Sequence, residues 1–542
     1  MRDSSGPRKK RKTTIEYYDE EQRYLDEAGR EFAQAYPGRA RFLNIGQRDD
    51  RDPYIERLFE GFAFLTGRVR QKLDDELPEL TQSLLGLLWP HLLRPIPSIS
   101  VLEFQPSLGR FQEPHIVERG TEVASQPVRR RYSCRFQTCY DVHVRPIALT
   151  EVALEDNFVM RFQFRIDEGI DLSKLFSMEG GDNYQNQCRK SIRLFIHDVD
   201  QRTAATFHLY LTRYVQKVAI QTTPDGPGAI IDGQAGVQLA GFAPEEGLLP
   251  YKAQSFVGYR LLQEYFAYSR KFSFFDLFGF ERLRSSEEVG NLEVRVFFDR
   301  PFPMDIRFAR ENFRLNCTPI VNLSRTQAQP RPVSHESTEY RISPPDGYEV
   351  YSVDAVEGVV PSTMQRRPYV PFYSFRHDLV GDGVEQPDRY YNTITRMATR
   401  RNEEGQPENY QNTYLSIVNP DVEVGELNEE TLSLQITCTN GTLARELKEG
   451  DIRNRVSDSN VPEFVQFRNI TQPTPILYPP HEAGLEWRFI SHLALNYLSL
   501  SDAETMKGIL ELYDWTTERS ARDTNRLRIS SIRNVRVTPQ DI

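Results

Sequence analysis

Two blocks near the amino terminus decide the reading of this chain: YYDEEQRYLDEAGREFAQAYPGRARFL at residues 17–43 and DPYIERLFEGFAFLTGRVRQKLDDELPELTQSLLGLLWPHLLRPIPS at residues 52–98. Thr13 with Glu16 matches a capping box, in which hydroxyl and carboxylate each satisfy a free amide, and predicts a helix from about Ile15. Within it Tyr18, Leu25 and Phe32 recur every seven residues beside a mixed row of Gln22, Gly29 and Tyr36, so one stripe packs while the opposite face stays polar. Pro37-Gly38 ends it. Asp52-Pro53 then supplies an N-cap acceptor and a proline at the first helical position, followed by Ile55, Leu58, Phe62, Leu65, Val69 and Leu73 at three- and four-residue steps. Leu80, Leu84, Leu87 and Leu88 continue the pattern after Pro78, until Trp89-Pro90, Pro95 and Pro97 stop it. Three amphipathic helices in a row either bundle with one another or offer an apolar stripe to other chains, and periodicity is the same in both cases. A segment dense in packing signals and poor in reactive groups points to assembly.

Beyond Pro97 the pattern becomes β-like. Short runs such as residues 100–104, 192–196 and 292–298 are separated by Gly, Pro, Asn and Asp clusters. A helix over 203–213, before a strand over 215–221, is the exception. The Gly-, Pro- and Asp-rich stretch 223–250 reads as a long surface excursion or a subdomain loop, and the polar stretch 393–412 as another loop. The turn cluster Ser343-Pro344-Pro345-Asp346-Gly347 marks a domain boundary. Late in the chain Trp487, Ile490, Leu493, Ala494, Tyr497 and Leu498 share a helical face, and Ser501 with Glu504 forms a second capping box leading into Met506, Ile509, Leu510 and Tyr513. The predicted fold class is α+β. Its parts are a basic tail (1–16), a helical assembly region (17–98), a β-rich middle domain (99–345), and a second β-rich domain (346–542) with helices at about 485–513.

Composition sets outer bounds. At 542 residues the chain exceeds what one core supports, and about two to four domains are expected. A net charge of −10 gives no general attraction to nucleic acid or anionic membrane. The cluster Arg8-Lys9-Lys10-Arg11-Lys12 is a local exception that reads first as a solvated tail. Five scattered cysteines do not form a disulfide framework and fit a reducing compartment. No run of about eighteen uncharged apolar residues occurs, so no membrane insertion is predicted.

The search for chemistry is negative. The chain lacks GxSxG, HExxH, GxxxxGK[ST] and GxGxxG patterns. Gly226-Pro227-Gly228 and Gly381-Asp382-Gly383 read as turns, because neither lies between a clear strand and a clear helix. Cys134 and Cys139 are an odd number of positions apart, so on one strand they face opposite ways and do not clasp a metal. The pairs His335-Glu336 and His481-Glu482 are neighbours that share no face, and Asp74-Asp75-Glu76 reads as a solvated helix end. The aromatic cluster from Tyr265 to Phe278 reads as core or interface, since Glu264, Lys271 and Asp276 do not supply the basic interleaving of a nucleic-acid groove. No catalytic, cofactor-binding or metal-binding residue is assigned.

Several motifs together carry a resemblance. These are residues 52–65 (DPYIERLFEGFAFL), Lys72-Leu-Asp-Asp and residues 84–98 (LLGLLWPHLLRPIPS), then Gln263-Glu-Tyr-Phe-Ala, residues 272–277, residues 315–323 (LNCTPIVNL), Pro371-Phe-Tyr-Ser-Phe, Cys438-Thr-Asn and residues 487–500 (WRFISHLALNYLSL). In this order, from about residue 17 to 513, they resemble the TssF family (also VasA or ImpG) of type VI secretion baseplate subunits. The basic extension before Tyr17 stands outside the pattern, and the family pattern continues somewhat beyond the end of this chain.

The resemblance implies a non-enzymatic structural subunit without cofactor, related to phage tail baseplate wedge proteins. Two copies would assemble with one TssG, and this wedge would join TssK and TssE around the VgrG spike. The site would be cytoplasmic, at the inner-membrane complex, as the platform for tube and sheath assembly. Candidate interface residues are Tyr18, Leu25, Phe32, Leu58, Phe62, Leu65 and Val69, with private core as the competing role for the last four. A phage-tail or extracellular contractile particle is the near alternative. A carbohydrate-acting enzyme would need two carboxylates about 5–10 Å apart on the β scaffold, and a nucleic-acid protein would show salt-sensitive binding through the basic tail.

Overall fold

The structure, a computed structural model, describes residues 14–38, 53–74, 78–107, 109, 111, 113–167, 170, 172–176, 184–222, 228–251, 257–283, 290–333, 337–372, 389–401, 405, 407–418, 430–456, 460–480, 485–493 and 502–535. The helices are α1 (Thr14–Ala35), α2 (Pro53–Asp74), α3 (Pro78–Leu88), α4 (Leu172–Leu175), α5 (Tyr184–Lys190), α6 (Gln201–Arg213), α7 (Val257–Ala267), α8 (Leu485–Leu493), α9 (Ala503–Tyr513) and α10 (Arg519–Ser530). The chain is α+β, as its periodicities predict, and among the described residues almost all strand pairing is antiparallel.

A six-stranded sheet runs in the order Ile452–Arg455, Glu122–Ser125, Arg135–Thr138, Cys317–Val321, Ile99–Pro106, Val465–Asn469. Its two edges meet. The amide of Gly450 donates to the carbonyl of Asn469, and the amide of Ile452 to Asn469 Oδ1, so the sheet closes into a small barrel around Leu102, Phe104, Phe136 and Val465. Closure removes exposed edges.

An eight-stranded sheet closes similarly. Ser324–Gln327 and Tyr340–Arg341 form its ends, and the Gln329 amide donates to the Ser343 carbonyl across the gap, enclosing Val356, Leu415, Leu432 and Ile436. The third body packs a five-stranded antiparallel sheet, from Gly228–Asp232 to Ile147–Glu155, and a four-stranded sheet around Phe162, Leu194, Phe207 and Phe275, with α6 on this core. Asp200 caps α6 by accepting from the Thr203 amide, and the helix and strand expected over 203–221 are both present.

Three sequence expectations are corrected. The 223–250 excursion is no plain loop, because Gly228–Asp232 and Val237–Leu239 complete the edges of two sheets. The polar stretch 393–412 lies in a long hairpin of Tyr390–Arg401 with Pro407–Val418. The continuous antiparallel register of the two strands pairs the backbone of this weakly apolar sequence, and Gln411 Nε2 donates to the Leu93 carbonyl. The turn at 343–347 does not divide two consecutive domains either. After passing through the eight-stranded barrel the chain returns to the first one, pairing Leu102 with Asn469.

The three bodies meet at a shared apolar hub built from the exit of α3. Trp89 packs edge-on to Tyr259 at 4.9 Å, Arg94 lies over Tyr351 at 5.3 Å, and Ile96 bridges to Leu477. Leu485, Phe489, Ile509 and Tyr513 from α8 and α9 complete it. The capping residue of α9 is Asp502, which accepts from the Thr505 amide; the expected Ser501 lies outside the described residues. On α8 the buried side chains are Leu485 and Phe489, while Trp487 is exposed and Ile490 half-buried, so the packed face is rotated from the expected one.

His91 is buried in this hub and shares a 2.9 Å hydrogen bond with Tyr251 Oη. Burial, reinforced by the Arg94 charge, lowers its pKa to about 3. The unfolded chain takes up a proton near pH 6.5 that the folded chain refuses, so stability falls as pH drops below 6.5. This group alone should cost about 2 kcal/mol between pH 7 and pH 5. Denaturant titrations at the two pH values should show that loss, reduced by this increment in His91→Gln.

Candidate assembly interface

The hairpin of α1 and α2 stands near the start of the chain and packs the small residues of α2 against α1. Tyr17, Glu21 and Gly29 of α1 and Ala63 and Gly67 of α2 are buried. A Cβ at Gly67 would lie 3.2 Å from the Tyr17 carbonyl carbon and the Tyr18 amide nitrogen, so the glycine sets how closely the helices approach. Arg70 Nη1 donates to Glu21 Oε1 at 2.7 Å across the pair. Gly67→Leu should therefore prise α1 away at a cost of roughly 1–3 kcal/mol. Faster amide hydrogen exchange in α1, with the barrel strands unchanged, is the expected readout.

With Ala63 and Gly67 turned toward α1, the large apolar side chains of α2 face outward. Leu58, Phe62, Leu65 and Val69 are 73%, 59%, 63% and 60% exposed. Steps of four, three and four residues put them on one face with heptad-like spacing, the geometry of a seam that receives another helix. They are brought together, and they are not buried against the chain's own helices. Of the α1 candidates, Tyr18 and Leu25 are half-buried and Phe32 is exposed, its ring 5.3 Å from that of Tyr36. The sequence reading missed Tyr54, 82% exposed one turn before Leu58 on the same face, and Ile15 and Tyr24 on α1. Position four residues before Leu58 was the available signal.

Among the described residues no group of three or more His, Cys, Asp or Glu side chains is placed to hold a metal. Cys134 and Cys139 lie in two different cores, the first barrel and the hub. Phe274 and Phe275 of the aromatic cluster are fully buried, as core. Glu264 and Lys271 pair with each other inside the protein. Arg193 binds Asp276 and Glu246, both at 2.7 Å; burial opposes the Glu246 charge, but Arg193 and the Gly241 amide hold its pKa below the usual range. The runs at 226–227, 335–336, 381–383, 481–482 and 75–76 lie outside the described residues. No helix among the described residues is long and apolar enough to cross a membrane.

A model of the family described as "Type VI secretion system, TssF" matches residues 10–541. The chain belongs to the TssF family. It is 28% identical to type VI secretion system component TssF1 of Pseudomonas aeruginosa, over 97% of this chain and 86% of that one. Its fold matches a chain of the type VI secretion TssK-TssF-TssG baseplate subcomplex, seen by cryo-electron microscopy, at TM-score 0.67 and 34% identity, covering 85% of this chain and 82% of that one. A chain of the type VI secretion baseplate complex matches at TM-score 0.59 and 32% identity, covering 95% of this chain and 85% of that one. This TssF-family chain is a structural component of the type VI secretion baseplate.

Proposed function

We propose that this chain is the load-carrying arm of a baseplate wedge, in which two copies join one TssG through their α1–α2 hairpins. The observation that carries the reading is the exposed stripe of Leu58, Phe62, Leu65 and Val69 on a helix whose small residues already serve its own packing. A solvent-facing row of this kind marks a protein contact. The relatives found within a TssK-TssF-TssG subcomplex supply the partners' identity.

From that wedge the chain would reach TssK, TssE and the VgrG spike, and dock on the inner-membrane complex through those partners, at the cytoplasmic face. It acts as a scaffold and not as a catalyst. Two closed barrels and a sandwich meeting at one hub make a stiff body, which suits a part that holds angles between neighbouring wedges until firing. Co-expression with the TssG-type partner and native mass measurement tests the stoichiometry. Two copies of this chain per partner are expected; a monomer that ignores the partner would overturn the reading.

A further inference from the structure

Helix α10 is the most basic helix described in a chain of net charge −10. Arg519, Arg522, Arg526, Arg528 and, just beyond it, Arg533 stand against a single acid, Asp523. Arg519, Arg522, Arg526 and Arg533 are exposed, and Arg519, Arg526, Arg528 and Arg533 have no carboxylate within ion-pair distance among the described residues. The helix is anchored by Ile529, by Asn525 donating to Asp514 and by Arg522 Nε donating to the Thr516 carbonyl. Arg519, Arg522 and Arg526, at steps of three and four, form one ridge.

Helix α1 has the opposite character, with Glu16, Asp19, Glu20, Glu21, Asp26, Glu27 and Glu31 against Arg23 and Arg30. Asp19, Glu27 and Glu31 are exposed on an i, i+4 ridge interrupted once by Arg23. The spacings agree. Arg522 to Arg526 and Glu27 to Glu31 each span about 6 Å, while Arg519 to Arg526 spans about 10.5 Å and Asp19 to Glu27 about 12 Å.

We propose that α10 of one copy docks on the acidic ridge of α1 of a second copy. The inference rests on the two-copy wedge reading and adds to it a polar contact that fixes which way the copies face, leaving the apolar stripe of α2 for TssG. Such complementarity sets register and partner choice and weakens as salt rises.

The test uses the full chain co-expressed with the TssG-type partner. Native mass and salt dependence are compared for the wild type, for Arg519→Glu/Arg522→Glu/Arg526→Glu, for Asp19→Lys/Glu27→Lys/Glu31→Lys, and for the chain carrying all six changes. Either triple reversal should lower the affinity of the second copy at least tenfold while one copy keeps its partner, and the sixfold swap should restore two copies. All six sites are exposed, so circular dichroism melting should be unchanged in the acidic reversal and lowered only slightly in the variants that lose the Arg522–Thr516 hydrogen bond. If the triple reversals leave the two-copy complex intact, or if the swap fails to restore it, the proposal is overturned. Loss of binding to phosphatidylglycerol vesicles in the arginine reversal, with the two-copy mass unaltered, would overturn it in favour of a lipid surface. A wild-type complex holding one copy would remove the wedge reading first, a failure visible before any variant is made.

Discussion

Phe62→Asp/Leu65→Asp should leave the isolated chain folded and abolish its stable association with the TssG-type partner. Both side chains face solvent in the free chain, where surface substitutions stay within about 0.5 kcal/mol. In the assembly the same positions would be enclosed among apolar side chains, and an unpaired carboxylate there costs several kcal/mol. At 1.4 kcal/mol per tenfold, affinity should fall by roughly two to three orders of magnitude. Size-exclusion chromatography with a melting curve of the free variant checks both halves. A variant that melts early and still co-elutes with the partner would place these residues in the chain's own core.

Lys271→Met should be the most damaging single change to the body of the protein. Lys271 and Glu264 are both fully buried and ion-paired, and Glu264 Oε1 also accepts from the Leu248 amide at 2.7 Å. Burial lowers the Lys271 pKa although Glu264 opposes the shift. Removing the lysine leaves the buried Glu264 carboxylate with only the more distant Arg260 guanidinium, at 3.9 Å, at a cost approaching the about 3–5 kcal/mol of a broken buried pair. The double variant Lys271→Met/Glu264→Leu should recover part of that loss, because it removes both charges. Urea denaturation of the three proteins measures it, and equal losses in the single and double variants would show that the pair does not act as a unit.

Much of this fold is legible in the sequence where local rules govern. Pro53 opens α2, the pattern after Asp200 yields α6, and Trp89-Pro90 ends α3. The face that α2 presents to α1 was not legible. Leu58, Phe62, Leu65 and Val69 announce an apolar stripe, but periodicity cannot say whether the stripe or the Ala63-Gly67 side meets the neighbouring helix. Long-range pairing is hidden for a similar reason. Nothing local in residues 465–469 indicates that Asn469 faces Leu102 and closes a barrel begun more than three hundred residues earlier. Helix α10 escaped notice because a polar, arginine-rich segment buries little beyond Ile529 and offers no stripe to read. The candidate interface was therefore visible as a pattern, while its exposure depended on tertiary packing.

The most direct test of the central claim is thiol labelling of Leu65→Cys in the free chain and in the complex. All five native cysteines are buried, and burial raises the pKa of Cys134, Cys139 and Cys438 to about 12 and of Cys188 to about 11, so the new thiol is the reactive one. Rapid maleimide labelling of the free chain, with protection of at least tenfold once the TssG-type partner is bound, is the predicted result. Equal labelling rates in the free chain and in a verified complex would contradict it.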